Sequence, residues 1–237
     1  MLVRHGPSNA LSEVQLEYAG AHAMMIERPF PFILLSAVTA MFFVLPSPTV
    51  AQTLDQQWTN CINTGGQNSI ELEIGGCTAV IEAGQVTPAR LALAFNHRGG
   101  AFHSQHDYER AIADYDQAIR LEPEDGRFRH SSCSARAQWG QQLDQALIDC
   151  DAAVRLGDKT ALDSRGFLHL RRREFQAALT DYDAALMEYP NNPYMTYGRG
   201  VARVRLGQTA EGQADIAFAR AQTADVASYY NPYGVEP

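Results

Sequence analysis

Three segments of this 237-residue chain superpose without a gap: AIADYDQAIRLEP (Ala111–Pro123), ALIDCDAAVRLGD (Ala146–Asp158) and ALTDYDAALMEYP (Ala178–Pro190). A second set of matches lies upstream: NHRGGAF (Asn96–Phe102), HSSCSAR (His130–Arg136), DSRGFLH (Asp163–His169) and YGRGVAR (Tyr197–Arg203). Equivalent positions Gly99, Ser134, Gly166 and Gly200 fall 35, 32 and 34 residues apart. A period near 34 with two helical halves per unit excludes a fold built around one central core. Each unit must bury its apolar face against the next, and the stack provides the core.

In these residues the chain resembles the tetratricopeptide repeat family, whose signature sets a large residue, Leu-Gly, an aromatic, Ala, a second aromatic and Pro at fixed offsets. The first full unit has Phe95, Arg98-Gly99, Phe102, Ala111, Tyr115 and Pro123, and the third has Leu162, Arg165-Gly166, His169, Ala178, Tyr182 and Pro190. The second is degenerate, with His130, Cys133-Ser134, Ala137, Ala146 and Cys150. The fourth keeps Arg199-Gly200 but has Gly212 in place of Ala. The resemblance implies an all-α superhelix of antiparallel helix pairs, with repeats at 92–125, 127–158, 159–192 and 193–225. Small residues such as Gly99 and Ala111 let paired helices cross closely. Pro123 and Pro190 end helices, and Gly157 caps one. CTAVIEAG (Cys77–Gly84) aligns with CDAAVRLG (Cys150–Gly157), so residues 52–91 are expected to form a divergent helical pair. Residues 226–237 form a tail, either unstructured or docked through its three tyrosines.

The one sustained apolar run, Ile33–Leu45, is too short for a membrane span of about 20 residues but suits the core of a signal peptide. Pro46, Pro48 and the small residues Thr49-Val50-Ala51 follow it, so residues 1–51 read as a leader cut after Ala51, with Met24 or Met25 as candidate true starts. Export to the periplasm follows. An uncleaved leader tethering the protein to the membrane is the alternative. The net charge of −8 argues against a nucleic-acid partner, which would require a basic face.

Cys61 and Cys77 stand 16 apart, and Cys133 and Cys150 stand 17 apart, one on each helix of a unit. Antiparallel neighbours in an oxidising compartment predict two disulfides, Cys61–Cys77 and Cys133–Cys150. The other reading makes Cys150 a small buried hydrophobe in the place of the repeat's tyrosine. Arg98/Asp114, Arg165/Asp181 and Arg199/Asp215 share one offset of 16, which predicts a structural Arg–Asp contact; the second unit has Asp149 but Cys133 in the arginine slot. The paired acids Asp114/Asp116, Asp149/Asp151 and Asp181/Asp183 recur in successive units and therefore read as architecture. His97, His103 and His106 do not form a metal-ligand pattern, and no nucleophile elbow or phosphate loop occurs. No cofactor, metal or catalytic residue is expected.

The remaining candidate is the concave groove, which the first helix of each unit lines. Carrying the family's groove positions over gives Asn96, His97, Gly100 and His103, then Ser131, Ala135 and Gln138. The third unit gives Asp163, Phe167, Leu170 and Arg171, and the fourth gives Tyr194, Tyr197, Val201 and Arg205. This mixture of aromatic, small and charged residues suits a protein or peptide partner. The lysine and asparagine set that clamps a carboxylate in some members is missing apart from Asn96. The expected function is a non-enzymatic exported scaffold binding a polypeptide in this groove. The alternative is an accessory or homo-oligomeric subunit whose groove holds its own tail or a second copy.

Overall fold

The computed structural model describes residues 48–63, 66 and 68–237, and within these every regular element is helical. The apolar run and nearly all of the expected leader lie outside the described residues. The elements are α1 (Pro48–Ile62), α2 (Ile70–Ala83), α3 (Pro88–Ser104), α4 (Tyr108–Leu121), α5 (Gly126–Trp139), α6 (Leu143–Arg155), α7 (Ala161–Arg171), α8 (Phe175–Glu188), α9 (Pro193–Arg205), α10 (Thr209–Gln222) and α11 (Val226–Tyr230), closed by a 3₁₀ turn at Asn231–Tyr233. None of these helices is long and apolar enough to cross a membrane. α1 begins before position 52, so the expected leader boundary falls inside a helix.

Local chemistry sets the ends. The side chains of Ser69, Thr87, Asp107, Asp125 and Asn192 each accept a hydrogen bond from a first-turn amide, which satisfies donors that a helix leaves free. α4 and α8 stop two residues before Pro123 and Pro190. Gly157 follows α6 with φ of +89°, a backbone conformation open mainly to glycine.

Helices pair in sequence order, α1 with α2 through α9 with α10, and each pair stacks on the next. A Cβ placed on Gly200 would lie 2.8 Å from the Gly212 carbonyl oxygen, and one placed on Gly212 would lie 2.8 Å from that of Gly200. Gly212 therefore lets α9 and α10 approach closely. Tyr182 lies wholly buried between the third and fourth units, against Gly166 on one side and Gly198 on the other. The buried apolar residues form a row of separate patches. The longest runs from Cys133 and Cys150 through Phe167, Tyr182 and Tyr197 to Val226, Tyr230 and Val235, so the tail forms part of it.

The Arg–Asp offset becomes a ladder. Arg98, Arg165 and Arg199 each donate through Nε and Nη2 to both carboxylate oxygens of Asp114, Asp181 and Asp215, at 2.7–2.8 Å. The third nitrogen reaches back one unit: Arg165 Nη1 to Asp151 at 2.8 Å, Arg199 Nη1 to Asp183 at 3.3 Å, and Arg98 Nη1 to the Thr78 hydroxyl at 3.1 Å. The two acids of each pair thus have different tasks, one within its own unit and one towards the next. In the second unit, where Cys133 fills the arginine slot, Arg136 takes over one turn later. Its Nη1 donates to Asp149 at 2.9 Å, and its Nη2 donates to both oxygens of Asp116 on the preceding unit at 2.8 and 2.9 Å.

Candidate functional site

The first helices of the units, α3, α5, α7 and α9, pack one on the next, and the chain's own tail lies across the last three of these. α11 turns back after α10, and Tyr230 is buried against α7 and α9. Its ring lies 5.0 Å from that of Tyr197 and 5.8 Å from that of Phe167, and its hydroxyl donates to the Tyr194 carbonyl at 2.7 Å. Tyr229 meets Tyr194 edge-on at 5.5 Å. After the 3₁₀ turn, Tyr233 stands edge-on to Phe167 at 5.3 Å and donates to Gln138 Oε1 at 3.2 Å. Val226 and Val235 are buried at the two ends of the segment, and Arg205 Nε donates to the Glu236 carbonyl at 3.2 Å. Such aromatic pairs each add about 0.5–1.5 kcal/mol beyond the area they bury.

Several groove residues are therefore covered. Phe167, Leu170, Tyr197 and Val201 form a buried floor beneath the tail, Tyr194 and Arg205 stay exposed at its edge, and Arg171 crosses the Tyr233 ring at 5.6 Å. Arg171 also reaches the preceding unit. Its Nη1 donates to the Gln138 carbonyl at 2.9 Å and also to that of Ala137, capping the C-terminus of α5. Gln138 joins the units, since its Oε1 also meets His103 Nε2 at 3.1 Å. Asn96, His97, Gly100 and Ser131 are part-buried on the first two units, and Ala135 is fully buried beside Phe102 and Tyr115. Burial lowers the pKa of both His97 and His103, which favours neutral rings. Asp163 on α7 is part-buried, and desolvation pushes its carboxyl up to about 6.

One arrangement was not legible in the sequence. His130 Nε2 meets the Ser164 hydroxyl at 2.9 Å, and its Nδ1 lies 3.3 Å from Asp158 and 3.0 Å from the Thr160 hydroxyl. The order Ser–His–Asp has the outline of a hydrolase triad. However, Ser164 lies inside α7, and the first-turn amides of Ala161, Leu162 and Asp163 are spent on the carbonyls of Asp158, Lys159 and Thr160. The set ties α5 to α7 and to the loop before it as an interhelical hydrogen-bond network. No group of three His, Cys, Asp or Glu among the described residues is arranged to hold a metal ion.

The cysteines are brought together as the spacing requires. The Cα atoms of Cys61 and Cys77 lie 4.4 Å apart and those of Cys133 and Cys150 lie 5.3 Å apart, each pair joining the two helices of one unit at bonding distance.

Stacked antiparallel helix pairs, each unit's first helix packed on the next, define a solenoid of the tetratricopeptide class. The chain contains a tetratricopeptide repeat at residues 92–125, where the family's model matches, and its described part folds as a tetratricopeptide-type solenoid. It is similar to the crystal structure of MamA, with a TM-score of 0.59 and 15% identity over 76% of this chain and 96% of that one. MamA 41-end from Desulfovibrio magneticus RS-1 gives a TM-score of 0.60 and 16% identity over 72% and 93%. YrrB, described as a TPR protein with an unusual peptide-binding site, gives a TM-score of 0.57 and 18% identity over 78% and 98%. At these identities the likeness is one of fold. No curated protein matches the chain significantly.

Proposed function

We propose that this protein is a non-enzymatic, exported scaffold that holds a polypeptide along its concave face. One observation carries the reading: the face already accepts a polypeptide, its own residues 226–237, through stacked tyrosines and hydrogen bonds to Gln138 and the Tyr194 carbonyl. A groove that seats an aromatic segment in cis offers the same rings and acceptors to a partner in trans. Two disulfides, Cys61–Cys77 and Cys133–Cys150, would staple alternate units in an oxidising compartment, in keeping with export through the leader at 1–51.

The tail also supports a second reading, in which the groove exists to hold this segment, in the same chain or in a second copy. Crosslinking and capture from the envelope fraction separates the two. Under the first reading, a defined partner is lost when Phe167→Ala and Tyr197→Ala are combined and is kept by Met187→Ala, an exposed change away from the groove. If the captured set is the same for every variant, the groove-binding reading fails. Capture of this chain alone favours the second.

A further inference from the structure

Where the tail closes over α7 and α9 it leaves a cavity of about 310 Å³. Leu170, Phe175 and Val201 give this cavity an apolar side, and Val235 of the tail stands among them. Three arginines line the same space: Arg171 at the end of α7, Arg173 in the turn after it, and Arg205 at the end of α9. Among the described residues none of the three pairs with a carboxylate, whereas the ladder arginines and Arg172 are all held by acids. The chain has 27 acidic residues against 19 basic ones, so arginines gathered without an acid go against its composition. Their donors are left over as well. Arg171 spends Nη1 on the carbonyls of Ala137 and Gln138, and Arg205 spends Nε on that of Glu236. Their other guanidinium nitrogens, and all those of Arg173, have no acceptor among the described residues. Glu236 lines the cavity too, but it offers Arg205 only its backbone carbonyl.

The repeat does not require this cluster. Five residues after Gly99, Ser134, Gly166 and Gly200 stand Ser104, Trp139, Arg171 and Arg205; seven after them stand His106, Gln141, Arg173 and Gly207. A ladder arginine recurs because stacking needs it, while these three converge once, where the tail supplies a wall. The end of a helix favours a cation, but that effect calls for no convergence on an apolar cavity. Unspent guanidinium donors beside an apolar wall match an oxyanion carried on an apolar body. We propose that this cavity binds a small organic anion, a carboxylate or a phosphate ester of side-chain size, and that the bound anion holds the tail on the stack. The coupling follows because Tyr233, Val235 and Glu236 line the cavity only when the tail is docked, so a ligand that uses them favours that state. The site lies beside the polypeptide groove and does not depend on what the groove takes. Asn96, the one residue in a carboxylate-clamping position, is two units away on α3.

The test titrates the full chain with phenyl phosphate, phenylacetate, inorganic phosphate and the neutral phenylacetamide in a calorimeter. An aryl anion should saturate with a Kd below about 1 mM and bind about tenfold more tightly than phenylacetamide or inorganic phosphate. The tighter of the two aryl anions identifies the head group. Because Arg171 also caps α5, the variants are the exposed Arg173→Gln and Arg205→Gln, each expected to weaken binding about tenfold. Arg120→Gln, an exposed change outside the cavity, should leave binding as it was, and Glu236→Gln should strengthen it by removing the acid at the site. The anion should also slow hydrogen exchange of the Gly234 and Val235 amides severalfold, and should fail to do so in Arg173→Gln. If neither aryl anion saturates, or if Arg120→Gln weakens binding as much as the cavity variants, the site is refuted. Equal binding of inorganic phosphate and phenyl phosphate overturns the organic ligand, and unchanged tail exchange with the anion bound overturns the coupling.

Discussion

Replacing Arg136 with methionine tests the ladder where it departs from the repeat. Arg136 is 3% exposed and Asp149 is 2% exposed, so their pair is the most buried rung. Arg136 Nη1 donates to Asp149 at 2.9 Å, Nη2 donates to Asp116, and Nε donates to Gln142 Oε1 at 3.0 Å. Burial already pushes the Asp149 carboxyl up, and the Arg136 charge is the largest force opposing this. Removing one partner of a buried pair costs about 3–5 kcal/mol, because the other charge stays desolvated. Asp149 would keep the Ser132 hydroxyl at 2.9 Å, Gln145 at 3.2 Å and the more distant Arg129 at 3.7 Å. These place the expected loss at the lower end, about 3 kcal/mol, or about 6–12 °C in Tm for a chain of this size.

Arg165→Met provides the internal comparison. Its side chain is 21% exposed and its back-reaching partner Asp151 is 49% exposed, so solvent screens part of the loss; Asp181, 6% exposed, would still lose its arginine fork, and the cost should be about 2 kcal/mol. Arg136→Lys should recover only part of the stability, since an ammonium cannot supply the fork that holds Asp116 and Asp149 together. Urea denaturation at pH 7 reads all three. The penalty of Arg136→Met should shrink as the pH falls and Asp149 takes up a proton. If Arg136→Met costs under about 1 kcal/mol, or less than Arg165→Met, the assignment of Arg136 as the replacement rung is wrong.

Three further outcomes are expected. Intact mass should rise by about four hydrogens on reduction, and each bridge, closing a loop of 16–17 residues, should be worth about 3 kcal/mol; an unchanged mass removes the disulfide assignment. Gly200→Ala should destabilise by about 1–3 kcal/mol in a thermal melt, because the new methyl meets the Gly212 carbonyl oxygen as well as Ile216 Cγ1, and even if Ile216 turns aside the backbone cannot yield without parting the helices; a neutral result would mean that α9 and α10 can part at no cost. For Asp163, the folded carboxyl is raised above its usual value to about 6, so the folded state binds the proton more tightly. The stability linked to it is full below the unfolded pKa near 3.8 and is lost as the pH rises through about 6. Tyr182, Tyr229 and Tyr230, the phenols that its charge acts on, stay protonated through that window. Asp163→Asn should therefore be the more stable protein at pH 7.5, by about 1–2 kcal/mol after allowing for partial exposure, and should match the parent near pH 4. Parallel pH–stability curves for the two would refute this.

The repeat, the helix pairing and the Arg–Asp offset were legible in the sequence because each is a local rule written several times. One arginine sixteen residues before one aspartate says little, whereas three such pairs at one period fix two facing helices. The second unit shows the limit. Cys133 breaks the pattern, and nothing in the linear order marks Arg136 as its replacement, since a side chain three residues later reaches Asp149 only through the turn of α5. The triad-like contact of Ser164, His130 and Asp158 joins elements of adjacent units and had no local signal at all.

The groove residues could be numbered from the sequence, because a repeat's register assigns each residue to a face. Their state could not. Whether Phe167, Tyr197 and Val201 face solvent or lie beneath Tyr230 depends on where the chain turns after α10, and the energy of that turn lies in contacts between residues up to 125 apart, such as Tyr108 and Tyr233. By itself the sequence determined a periodic helical stack, with its internal ladder and its cysteine pairing, because those follow from neighbours at fixed spacing. The tertiary structure alone decided that the tail closes over Phe167, Tyr197 and Val201, because packing across the stack is set by shape and charge brought together from distant units.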